Sequence, residues 1–82
     1  MPAYEEVVRV KEKHEKWLME MKDVVGVGVG KMLAEDGITH EFCIKVYMAK
    51  ESEAAREIPK MIDGVHTSIE ITGKIYFQDN NS

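Results

Sequence analysis

The chain has 82 residues, a hydrophobic share of 44%, 32% charged residues and a formal net charge of −4. That length makes one domain with a thin core, and the composition is that of a globular chain rather than a disordered one. The acidic balance argues against a nucleic-acid binder, and no apolar run approaches the roughly 18 residues of a membrane span. Cys43 is the only cysteine, so no internal disulfide forms, which fits a reducing compartment. No charged start followed by an apolar stretch marks a signal peptide. A cytoplasmic protein is expected.

Residues 2–22 predict one helix. Pro2 suits a first turn, and Glu5 and Glu6 favour the positive end of the helix dipole. Tyr4, Val7, Val8, Leu18 and Met21 recur at helical spacing, with Val10 and Trp17 beside them. Glu5 with Arg9, and Glu12 with Lys16, are favourable pairs four residues apart.

Residues 24–33 predict the first strand. Val25, Val27 and Val29 alternate with Gly26, Gly28 and Gly30, so one face is apolar and the other bare. Glycine weakens a strand, and three on one side imply close approach of another group. The expected occupant is a helix of the same chain, Trp17 included, or a second copy of the domain. A bulky residue at Gly28 is then expected to clash.

Asp36-Gly37 between two period-two runs predicts a hairpin tip. In the second strand, Phe42, Ile44, Val46 and Met48 share one face, and Glu41, Cys43, Lys45 and Tyr47 share the other. Residues 50–57 predict a short helix capped by Ser52 and stopped by Pro59. Asp63-Gly64 marks a second turn, and residues 65–72 alternate as a strand. Gly73 bends or bulges that strand, residues 74–78 extend it or form another, and residues 79–82 read as a frayed tail.

These elements make residues 1–82 a single α+β domain. It is a two-layer sandwich, with one long N-terminal helix and a short second helix on a three- to four-stranded, mainly antiparallel sheet. A right-handed crossover is expected to set the last strand beside the first, in spatial order 2-1-3. The expected core is Val7, Leu18, Val25, Val27, Val29, Phe42, Ile44, Val46, Ile69 and Ile71, with Lys45 on the opposite face mattering little.

Chemical motifs are sparse. The glycines are spaced G-x-G-x-G and lead into a hairpin, which matches neither the dinucleotide fingerprint nor the P-loop. His40 lies three residues from Cys43, hence on the other strand face, and a lone strand cysteine reads as a small hydrophobe. No pair among His14, His40, His66 and Cys43 has metal-ligand spacing. Glu51, Glu53, Glu57 and Asp63 read as a solvated surface. No catalytic residue, metal ligand or cofactor is expected.

The segments Val24-Val25-Gly26-Val27-Gly28-Val29-Gly30, Ile44-Lys45-Val46-Tyr47-Met48-Ala49-Lys50 and Ile58-Pro59-Lys60-Met61-Ile62-Asp63-Gly64-Val65-His66-Thr67 occur in that order. Together they resemble a small α/β domain found ahead of some bacterial trypsin-like serine peptidases, over about residues 20–73. The shared motifs are structural, and the chain holds no nucleophile motif such as G-D-S-G-G. The resemblance implies an accessory or freestanding domain rather than a protease. A looser likeness to peptidase pro-segments implies a folding-assistant role.

The leading expectation is a non-enzymatic domain acting through protein contact, as a homodimer, with Gly26, Gly28, Gly30, Trp17 and Tyr47 at the interface. The alternative is a small-molecule or metal-binding domain using the glycine strand with Lys31, His40 or Cys43.

Overall fold

The computed structural model describes residues 3–34 and 37–72; of residues 33, 34 and 38–40 only the backbone is described. The order is α1 (Tyr4–Met19), β1 (Val24–Ala34), β2 (Gly37–Met48), α2 (Ala54–Glu57), β3 (Met61–Ile62) and β4 (Val65–Ile71). One long and one short helix lie with a four-stranded, mostly antiparallel sheet, which is the expected α+β class. No helix of the described residues is long and apolar enough to cross a membrane.

Helix α1 starts at the Val7 N–H to Ala3 carbonyl bond of 3.1 Å, with Glu5 and Glu6 in its first turn and Lys16 in its last. Both placements suit the helix dipole. The ion pair along it is Lys11 with Glu15, at 3.0 Å. The helix ends at Met19, short of the expected residue 22, because the chain must turn back into β1. Met21 N–H donates to Leu18 and Val24 N–H to Met21, which tightens the exit. Asp23 then takes a left-handed φ of 68°, a conformation aspartate tolerates better than most residues.

Strands β1 and β2 form the expected hairpin, closing at Ala34 opposite Gly37. Asp36, assigned to its tip, lies outside the described residues. Near the other end the register slips: Val24 faces Met48 but Gly26 faces Tyr47, so Val25 is an inserted residue. A bulge of this kind reverses which face the following residues occupy. Val24 is therefore buried, whereas Val25, an expected core residue, is 52% exposed.

Strand β4 runs parallel to β2, with Ile44 opposite Thr67 and Val46 opposite Ile69. The sheet order is β1-β2-β4-β3, so the last strand sits beside the second and not beside the first. Strand β2 explains this order. Its residues 43–46 are buried on both faces, as a central strand requires, while β1 is left at the margin. The sequence reading also lacked β3, a two-residue strand pairing Met61 with His66 and Ile62 with Val65. Asp63 and Gly64 join β3 to β4 with φ of 51° and 82°, the positive pair of a type I′ turn.

The core comprises Val7, Leu18, Val24, Ile44, Val46, Met48, Ile58, Ile62 and Val65. Val27, Val29, Phe42 and Ile69 pack against it while partly exposed. Ile71, expected inside, is 48% exposed, because β3 is too short to flank that end of β4. Ser52 does not cap α2 with its side chain; its carbonyl accepts the Ala55 N–H at 3.0 Å instead, and its buried hydroxyl has no hydrogen-bond partner among the described residues. Gly73 and residues 74–82 lie outside the described residues.

Candidate interface on the glycine face

The Val24–Ala34 strand sends Val27 and Val29 towards α1 and the core. The alternation therefore turns Gly26, Gly28 and Gly30 to the other side of the sheet. Among the described residues, what lies over them comes from the neighbouring strand. Tyr47 passes a Cβ built at Gly26 at 3.6 Å and one built at Gly28 at 3.7 Å, both ordinary contacts. The Lys45 stem lies closer over Gly30, at 3.2 Å. The bare strand thus has a tyrosine ring and a lysine stem in contact distance of its glycines, and no helix is needed to account for them.

Lys45 is buried, 6% exposed, contrary to the minor role expected of it. Its Nζ lies 2.7 Å from Glu70 Oε2 on β4. That hydrogen bond raises the lysine pKa above its ordinary 10.5, outweighing the opposing effect of burial. The pair ties β2 to β4 across the face that carries Tyr47. Val25, Gly26, Tyr47 and Thr72 line a shallow apolar hollow of about 240 Å³ at its upper end. Thr72 closes this end by donating its N–H to the Met48 carbonyl at 2.8 Å.

Trp17 is not brought to this face. It lies on α1, in the other layer, where its indole N–H donates to His14 Nδ1 at 2.9 Å. An indole N–H only donates, so Nδ1 accepts and the neutral ring carries its hydrogen on Nε2. Nε2 donates in turn to Asp63 Oδ2 at 2.9 Å. Lys13 approaches the same carboxylate at 3.6 Å. The His14 hydrogen bond chiefly, with Lys13 adding, holds the Asp63 carboxyl below its usual value. This chain pins α1 to the β3–β4 turn. It also occupies both imidazole nitrogens, leaving no free lone pair for a general base.

Cys43 is fully buried, and that burial pushes its thiol pKa up, with Glu41 and Glu70 adding and Lys45 opposing. A raised pKa and no access are the reverse of what a nucleophilic thiol needs. Lys31 is exposed, with Nζ 6.0 Å from the centre of the Phe42 ring, which Tyr4 also meets edge-on at 5.1 Å. The His40 side chain lies outside the described residues. Among the described residues no group of three or more His, Cys, Asp or Glu is placed to hold a metal ion.

The sequence reading brought Gly26, Gly28, Gly30 and Tyr47 into one candidate set, and these four lie together. It missed Lys45 and Glu70, whose signal was a lysine and a glutamate facing the same side of two strands. It also missed Val25, whose exposure depends on the bulge. No protein-family model matches the chain, and neither the curated proteins nor the solved structures contain a match.

Proposed function

We propose that this chain is a non-enzymatic domain that works through protein contact, with a second copy of itself as partner at the glycine face. The observation that supports this reading is the state of that face. The helices pack against the valine side, whereas among the described residues the glycines meet the Tyr47 ring and the Lys45 stem, beside an exposed Val25. Glycine strands let two sheets approach closely, and aromatic residues are enriched at interface centres. A thin core also gains stability from association, since binding to the folded state adds to its free energy.

Sedimentation of the purified chain tests the reading. The wild-type protein is expected to sediment at twice the chain mass. Val25→Lys, at a half-exposed position, should sediment as a folded monomer because it sets like charges opposite one another. A wild-type monomer at high concentration, or a Val25→Lys dimer as tight as wild type, overturns it.

A further inference from the structure

A groove of about 510 Å³ separates α2 and its exit from β4. Ile58, Pro59 and Ile69 give it an apolar lining, and Arg56 and Lys60 stand beside them, both exposed. Neither cation has an ion-pair partner among the described residues, whereas Lys11, Lys13 and Lys45 are each paired. In a chain of net charge −4, two uncompensated cations beside an apolar groove favour an anionic occupant.

The β4 wall is also an open strand edge. Among the described residues, the last backbone hydrogen bond along it is the Thr67 N–H to the Lys60 carbonyl, at 2.9 Å. Backbone groups alternate sides along a strand, and the Thr72 N–H points the other way, to Met48 on β2. Ile69 and Ile71 are in phase with Thr67. Their N–H and C=O groups therefore face the side on which, among the described residues, no strand pairs beyond Thr67. A small anion alone leaves both this edge and the apolar lining unused.

We propose that the groove takes an acidic peptide in extended conformation. The peptide adds as a strand along β4, sets its carboxylates on Arg56 and Lys60, and rests its apolar side chains on Ile58, Pro59 and Ile69. This surface is separate from the glycine face and stands whether or not the chain dimerises there.

The probe is a labelled synthetic peptide alternating valine and glutamate, followed by fluorescence anisotropy, with amide NMR on the full-length wild-type chain. Binding should weaken with added salt, since the contacts are exposed charges. The same peptide with lysine for glutamate should not bind. N-methylation at alternate positions, which removes edge hydrogen bonds, should weaken it. Combining Arg56→Glu with Lys60→Glu should weaken binding by about tenfold, the combined effect of two exposed ion pairs turned repulsive. Both sites are exposed, so melting should hold; Arg56→Gln with Lys60→Gln gives a milder loss should the reversal disturb the fold. Amide shifts in the wild type should centre on Arg56 and residues 67–71. Equal binding of the lysine peptide, undiminished binding by both double variants, or shifts confined to residues 26–30 overturn the proposal. Displacement by inorganic phosphate at equal concentration overturns it too, in favour of a simple anion site.

Discussion

Gly28→Ala separates what the glycine face does within one chain from what it does between chains. Gly28 does not have a positive φ, so alanine fits the backbone without strain. The added Cβ meets Tyr47 Cε2 at 3.7 Å, an ordinary contact. The substitution removes unfolded-state freedom and should stabilise the monomer by about 0.5–1 kcal/mol. For a domain of this size that raises Tm by roughly 2–8 °C. Gly30→Ala is the internal control. Its Cβ meets Lys45 Cε at 3.2 Å and Cγ at 3.4 Å, so the stem must shift and loosen its bond to Glu70, and the gain should vanish or reverse. Melting in dilute solution, by circular dichroism, reads the monomer. Sedimentation of Gly28→Val at high concentration reads association. A Gly28→Ala protein that melts below wild type in dilute solution refutes the reading of Tyr47 as an ordinary, uncrowded neighbour of Gly28. A Gly28→Val protein that melts higher and keeps its dimer refutes the face as the contact.

Ile44→Ala should destabilise by about 2–5 kcal/mol, because Ile44 is fully buried at the centre of β2; denaturant unfolding checks this. Glu70→Gln leaves Lys45 buried beside a neutral partner and should cost about 1–2 kcal/mol, less than a wholly buried pair because Glu70 is half in water. The Lys45 pKa is raised, so its contribution is present at neutral pH and is lost as pH climbs through the folded value, above 10.5; Glu70→Gln should remove that alkaline loss from a melting series. Asp63 has a lowered pKa, so its contribution is present above the ordinary 3.8 and is lost as pH falls through a folded value below that. Asp63→Asn should flatten that acid limb, and the fluorescence of Trp17, the only tryptophan, should respond to the loosened His14. Cys43 should resist thiol reagents at neutral pH in the folded protein and react at once in denaturant.

The local pattern by itself determined the elements that depend on near neighbours. Helical spacing from Val7 to Leu18 places both at 0% exposure, because side chains on one helix face are set by 3.6-residue geometry alone. Val-Gly alternation produces a one-sided strand, and Asp63-Gly64 takes the positive φ pair that few other residues tolerate. Tyr47 was legible as a neighbour of the glycines because hairpin partners lie close in sequence. Tertiary structure alone decided the rest. The place of β4 beside β2 depends on which strand has two buried faces, and no local period encodes that. The bulge at Val25 exchanged an expected core residue for Val24, because one inserted residue puts the alternation before it out of phase with the alternation after it. Lys45 reads as a surface residue in any window of sequence; its burial needs Glu70 from a strand 25 positions away and a glycine beneath its stem. The Trp17–His14–Asp63 chain likewise joins a helix to a turn 49 positions on, since hydrogen bonds follow distance in space rather than along the chain.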